Sequence, residues 1–227
     1  MTSPVDLPAR FRVFAYGSLL FEPEASQSLL ETSPAILPGY RRTFNKISLR
    51  RATPVEESFA AFSLPENRFV RDGKNLSLAL GTERSPEAAI VGGLQIYPAQ
   101  VRAVVQNQLD RREGFSEDRP SNQNGYLRCE VSVRQGREGV SAITYLTNPD
   151  EACPWTIGPE IDLSFRAKIL INATPVQPSP GIARGLDYLR KTREELASIG
   201  ERDPGLEELA RAVQQFDGPW QARVGTL

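Results

Sequence analysis

Two places in this sequence carry groups whose chemistry suits joint action. The first is residues 12–21, where Val13-Phe14-Ala15 reads as a short buried strand that stops at Gly17-Ser18. A strand halted by glycine ahead of a helix-compatible piece, here residues 23–30, leaves several N–H groups unpaired and aimed one way. Such a row holds a carboxylate or a developing oxyanion. The same stretch also reads as a plain tight turn with its glycine at positive φ. The second place is Glu113, at the C-terminal edge of a helix that Pro98 opens and Gly114 ends. Val101, Val104, Val105 and Leu109 recur there at helical spacing. A glutamate at that end opposes the helix macrodipole, which favours a functional reason over a merely solvated charge.

The chain has no histidine. Serine–histidine and cysteine–histidine pairs and histidine metal sites are therefore excluded, and acid–base work falls to Asp, Glu, Lys, Tyr or Cys. Ser18 has no base of the usual type to make it a nucleophile, so it is read as a hydrogen-bond donor or a loop holder. Of the two cysteines, Cys129 lies in an alternating strand pattern as a small buried hydrophobe and Cys153 in a loop before Pro154, with no metal spacing between them. A disulfide between them is not expected in a cytosolic setting. The formal net charge of -1 over 227 residues points to neither nucleic acid nor an anionic membrane. No apolar run has the length of a signal peptide core or a membrane span, so the expectation is a soluble cytoplasmic protein.

These residues must be positioned by the elements around them. Residues 1–10 read as a loose arm. Strands are expected over 11–16, across a Pro38-Gly39 interruption in 35–44, at 60–64, 76–81 and 88–97, and in a hairpin formed by 126–133 and 140–146. Residues 69–74 read as a turn ending at Asp72-Gly73. Gly92 and Gly93 allow a bulge or a close backbone approach. Residues 115–125 form a polar loop long enough for a flap. A helical stretch near 161–172 follows, in which Ile169-Leu170-Ile171 reads equally as strand. Pro175 to Gly181 is a break, 182–196 an amphipathic helix and 206–216 a last helix, with a tail that is either disordered or docked. Strands in the centre with helices between and after them predict an α+β domain whose curved mixed sheet closes into a small β-barrel flanked by helices. The expected organisation is an arm over 1–10, a domain over 11–200, and a C-terminal helix and tail over 201–227.

Four segments occur in order: Phe14-Ala15-Tyr16-Gly17-Ser18-Leu19, Leu109-Asp110-Arg111-Arg112-Glu113-Gly114-Phe115, residues 126–133, and residues 143–148. Over residues 11–200 the chain resembles the γ-glutamylcyclotransferase superfamily, which takes in γ-glutamyl amino acid enzymes, ChaC-type glutathione enzymes and AIG2-like proteins. The resemblance implies a small barrel with the glycine–serine loop and a glutamate facing one cavity. It places the catalytic glutamate at Glu113 and the substrate-binding loop at Tyr16, Gly17, Ser18, Leu19, Leu20 and Phe21. Tyr145 matches a substrate-contacting tyrosine of some members. The sequence departs from many relatives in carrying Gly114-Phe115 after the glutamate, where they have tyrosine. The 116–124 loop is long and polar, and the tail beyond 200 has no counterpart.

The implied reaction needs little machinery. A γ-glutamyl group carries its own nucleophile, the α-amine, and closure onto the γ-carbonyl gives 5-oxoproline and a free amine. No metal, cofactor or covalent enzyme intermediate is required. The protein must hold the chain folded, move one proton and stabilise one oxyanion. A carboxylate raised toward neutrality by partial burial can move the proton. The substrate is thus a small γ-glutamyl amide, with the leaving amine and the oligomeric state left open. Two other readings stand beside this one: a non-catalytic binding or regulatory module of the same fold, and a cyclotransferase dedicated to a γ-glutamylamine in one biosynthetic route. Arg128, if it points inward, could meet a substrate carboxylate, though an exposed strand position is the simpler reading. Arg41, Arg42, Arg50 and Arg51 receive no role.

Overall fold

The computed structural model describes residues 9–54, 70–71, 74–158, 161–172 and 185–224. Among the described residues six strands form one sheet: β1 Arg10–Ala15, β2 Glu31–Pro54, β3 Val70–Arg71, β4 Lys74–Pro98, β5 Tyr126–Gln135 and β6 Glu138–Thr147. Their order is β1-β6-β5-β2-β4-β3, and β1 also pairs with β4. That extra pairing closes five strands into a barrel and leaves β3 on the side of β4. The β1–β6 pair is parallel and the other pairs are antiparallel, so the barrel is mixed. Four helices of the described residues flank it: α1 Arg102–Glu113, α2 Leu163–Asn172, α3 Gly185–Ser198 and α4 Pro204–Val224.

β1 shows why an uninterrupted apolar run belongs at the centre. Successive strand side chains point to opposite faces. Phe14 therefore enters the large core shared with α2, α3 and α4, while Phe11, Val13 and Ala15 enter a second core beneath α1. Both faces are covered, so alternation disappears from the sequence. The closure of β1 on β4 depends on Gly92, where a Cβ would fall 2.3 Å from the Ala15 carbonyl oxygen and 2.7 Å from the Phe14 ring.

Several expectations need correction. The two strands expected either side of Pro38-Gly39 are one long strand, bulged between Pro38 and Tyr40, with Gly39 at φ +80°. The two expected over 76–97 are likewise one, β4. Length misleads here because a strand that curves round a barrel continues through bulges instead of ending at them. Residues 23–30 form no α-helix, only a 3-10 turn at Ser26–Ser28. Val104, expected on the apolar stripe of α1, is 55 % exposed, while Val105 and Leu109 are buried. Residues 169–171 belong to helix α2. Both cysteines are free, Cys153 buried and Cys129 half-buried. The expected strand at 60–64, the turn at Asp72-Gly73 and the break at 175–181 lie outside the described residues. Among the described residues, no helix is long and apolar enough to cross a membrane.

Candidate active site

The loop after β1 runs Tyr16-Gly17 into a 3-10 turn, Ser18–Leu20. Gly17 has φ -131° and ψ -134°, so the positive-φ turn of the simpler reading is not formed. Glycine is favoured there for space instead: a Cβ would lie 3.2 Å from the Tyr188 hydroxyl. The turn spends the Leu20 N–H on the Gly17 carbonyl at 2.9 Å and the Phe21 N–H on that of Ser18 at 3.2 Å. The first N–H groups of any such turn have no partner within it, so the donors that remain belong to Ser18 and Leu19.

Four side chains anchor this loop. Arg42 Nε donates to the Tyr16 carbonyl at 2.9 Å and Gln95 Nε2 to that of Leu19 at 2.6 Å. Arg112 Nη2 donates to Ser18 Oγ at 3.0 Å, and its Nη1 to the Glu22 carbonyl at 2.9 Å and the Glu24 carboxylate at 2.8 Å. The Tyr16 hydroxyl donates to the Tyr145 carbonyl at 2.5 Å. Arg42, unassigned from sequence, is only 4 % exposed. It also donates to the Val91 carbonyl and pairs with Asp203, the residue just before α4, at 3.0 Å. Burial draws the Arg42 guanidinium below its usual range and the Asp203 carboxylate pulls it back. An adjacent pair of arginines in sequence gives no sign that one of them is buried in this way. Its neighbour Arg41 lies at the surface, bonded to Glu83. The Arg50 and Arg51 side chains lie outside the described residues.

Glu113 ends α1, and Gly114 follows it at φ +70°. The Gly114 and Phe115 N–H groups both return to the Asp110 carbonyl, the usual way a glycine closes a helix. The Glu113 side chain is 17 % exposed and lies 3.8 Å from Arg112 Nε. Asp110, one turn earlier on the same face, is held from the hairpin. Arg128 on β5 and Tyr145 on β6 are direct cross-strand partners. Arg128 Nη1 reaches Asp110 Oδ2 at 2.5 Å, and the Tyr145 hydroxyl donates to Oδ1 at 2.6 Å. Arg128 also pairs with Glu117 and lies over the Phe115 ring, 5.0 Å from its centroid. Both its ends are thus engaged by carboxylates of the protein itself, and it is neither exposed nor turned to the cavity.

Glu113, Tyr16, Gly17, Ser18, Leu19 and Tyr145 line one cavity of about 290 Å³. The structure thus brings together six of the eight residues singled out in the sequence. Leu20 and Phe21 do not line it. Leu20 packs against both cores, and Phe21 meets the Tyr188 ring edge-on, 6.4 Å between centroids. Burial raises the Tyr16 phenol well above its ordinary range, and the nearby Glu113 charge raises it further. Tyr145 is raised first by burial and then by its bond to Asp110. Both hydroxyls therefore stay protonated at neutral pH and act as donors, and Glu113 is the carboxylate that lines the cavity beside the loop. Sequence reasoning missed Lys46, Arg119 and Trp155, which also line the cavity.

No family model and no curated protein matches the sequence. Solved structures do. A selenomethionine-labelled crystal structure of a yeast γ-glutamyl cyclotransferase specific to glutathione superposes with a TM-score of 0.66 at 18 % identity, over 92 % of this chain and 97 % of that one. A second crystal structure described in the same terms gives a TM-score of 0.62 at 19 % identity, over 92 % and 99 %. The likeness spans the barrel and its flanking helices, and at this identity it is a likeness of fold. The chain therefore has the γ-glutamyl cyclotransferase fold, the architecture that its four ordered segments imply.

Proposed function

We propose that this protein is a γ-glutamylcyclotransferase, converting a γ-glutamyl amide to 5-oxoproline and a free amine without metal or cofactor. The observation that carries the reading is the meeting of Glu113 with the Gly17–Leu19 segment on one cavity. In this mechanism Glu113 takes a proton from the substrate α-ammonium. The freed nitrogen attacks the γ-carbonyl carbon, and the new C–N bond closes the five-membered ring. The tetrahedral oxyanion accepts hydrogen bonds from the N–H groups of Ser18 and Leu19. Loss of such a donor typically costs about 3–4 kcal/mol of transition-state stabilisation. Glu113 then delivers that proton to the leaving nitrogen as the old C–N bond breaks, the ring nitrogen gives up its second proton, and the amine takes it up to leave as an ammonium, so the two protons lost by the attacking nitrogen are the two gained by the leaving one.

Holding the glutamyl chain curled is the larger task, since orientation can contribute roughly 7–11 kcal/mol. The loop carries little freedom of its own, because Arg42, Gln95 and Arg112 fix its carbonyls and its serine. Tyr145 presents a hydroxyl whose proton is committed to Asp110, which leaves its oxygen to accept from the substrate ammonium. The cavity volume lies near the lower end of small-molecule sites, about 300–1,000 Å³, and suits a substrate of amino-acid or short-peptide size. Incubation of the purified protein with γ-glutamyl amino acids, γ-glutamyl peptides and γ-glutamylamines, with 5-oxoproline measured, tests the reading. Product from at least one of them is expected, and none from any would refute it.

A further inference from the structure

Three successive peptides of the loop are gripped by their carbonyls. The Tyr16 carbonyl accepts from Arg42 Nε at 2.9 Å, the Gly17 carbonyl from the Leu20 N–H at 2.9 Å, and the Ser18 carbonyl from the Phe21 and Glu22 N–H groups at 3.2 and 2.9 Å. A trans peptide points its N–H opposite to its carbonyl, so the open ends are the N–H groups of Gly17, Ser18 and Leu19. None of the three has an acceptor among the described residues. The Gly17 N–H points away from Arg42, and Gly17 lines the cavity while Arg42 does not. Gly17 also lies outside the helical region, at φ -131° and ψ -134°, so its N–H does not run with those of the turn that follows.

The groups that grip these carbonyls differ in charge. Gln95, a neutral amide, holds the Leu19 carbonyl at 2.6 Å, and the N–H of that peptide is spent inside the turn, Leu20 to Gly17. The Tyr16–Gly17 peptide, whose N–H is open, is held by a buried cation. Burying a guanidinium is costly, and a neutral amide would have held the carbonyl as well. What the cation adds is polarity, because a charge bonded to a carbonyl strengthens the donor at the other end of the same peptide. Asp203 keeps that charge in place from the start of α4.

We infer that Arg42, held by Asp203, is a positioning residue for the Gly17 N–H, which receives the α-carboxylate of the γ-glutamyl group. The inference rests on the cyclotransferase reading above. In that reading Glu113 and Tyr145 meet the α-ammonium, and the Ser18 and Leu19 N–H groups meet the γ-carbonyl oxygen. The α-carboxylate is the remaining charged group of the glutamyl half, and the Gly17 N–H is the remaining open donor of the loop. Arg42 does not touch the substrate. It acts through one peptide, from behind the loop, where Asp203 joins it.

The test sets γ-glutamylalanine and glutathione each against the analogue whose glutamyl α-carboxylate is a carboxamide, with the released amine measured. The wild-type protein should favour the acid by at least about tenfold in kcat/KM, the scale of one charge-assisted hydrogen bond. The double variant Arg42→Gln/Asp203→Asn removes both charges and leaves an amide at each place. There the ratio should fall toward one, through KM with kcat little changed. Arg42→Lys, which keeps the cation, should retain more of it. Equal use of acid and carboxamide by the wild type would overturn the inference. So would a double variant with the wild-type ratio, slowed or not, which would make Arg42 scaffold and give the carboxylate to the cations that line the cavity, Lys46, Arg111 and Arg119. If the double variant fails to fold, the wild type decides. In protein labelled with 15N-glycine, the Gly17 amide resonance should move with 5-oxoproline, which keeps the α-carboxylate, and not with its carboxamide. The same response to both, or none to either, would overturn the inference. Any of these failures beside turnover of an acid substrate leaves the cyclotransferase reading intact, whereas no amine released from either acid removes both.

Discussion

Tyr16 and Tyr145 at the cavity and Tyr97 in the core are fixed donors, and their titration should show it. Tyr16 and Tyr145 are raised by burial, and burial with the Glu24 charge pushes Tyr97 up to about 12. An unfolded tyrosine ionises near 10. A phenol held protonated by the fold therefore contributes stability that is complete below pH 10 and is lost as pH rises through the folded value, for Tyr97 over about 10 to 12. Tyrosinate absorbance should thus reveal a fast-titrating class and a late class that appears together with loss of near-ultraviolet circular dichroism. Ionisation of all six tyrosines near pH 10 with the fold intact would contradict this. The residues proposed to do the chemistry were legible in sequence because that chemistry restricts their type: Glu113 beside a helix-ending glycine, and Gly17-Ser18 after a buried strand. Lys46 at the cavity wall and Arg42 behind the loop were not. A lysine in a strand becomes a fixed cation only when Trp155, distant in sequence, is folded across it.

At the scale of elements, what positions the site is closure of the barrel. The parallel β1–β6 contact and the antiparallel β1–β4 contact put the end of β1 beside β4 and the hairpin. The Tyr16–Leu19 segment emerges at that junction. Gly92 is where the backbones approach, since any side chain would meet the Ala15 carbonyl at 2.3 Å. Gly92→Ala should therefore destabilise the protein by about 1–3 kcal/mol, the usual cost of overpacking. Because the strain falls one residue from Tyr16, it should also lower the rate of 5-oxoproline formation. Denaturant unfolding of this variant against wild type checks the first effect, and an unchanged midpoint would show that β1 and β4 are looser than their register implies. The close approach at Gly92 was foreseeable from two adjacent glycines in an apolar strand. The continuity of β2 and β4 was not, because a bulge and a strand end use the same residues, and only the partner strand tells them apart.

The molecule as a whole ties its last helix to its first loop. Leu206, Leu209, Ala210 and Val213 of α4 share the large core with Phe14 of β1. Asp203 caps α4 through the N–H groups of Gly205 and Leu206 at 3.0 and 3.1 Å, and pairs with Arg42, whose side chain is 2 % exposed. Arg42 in turn holds the Tyr16 carbonyl. Asp203→Ala removes a helix cap and leaves a buried guanidinium unanswered, so it should cost about 3–5 kcal/mol. A loss under 1 kcal/mol in urea unfolding would show that the pair is dispensable. The resemblance of motifs covered residues 11–200 and gave no warning of this link, since the segment that completes it lies beyond them. The central claim, that one carboxylate moves the proton while a short row of main-chain donors receives the oxyanion, has one direct measurement. It is the rate of 5-oxoproline release from a γ-glutamyl amino acid by wild type and by Glu113→Gln, with circular dichroism confirming that both are folded. The variant should keep the fold and lose product formation by a factor of about 10²–10⁴, the typical contribution of general acid–base catalysis. A folded Glu113→Gln protein that still forms 5-oxoproline at the wild-type rate would contradict the account.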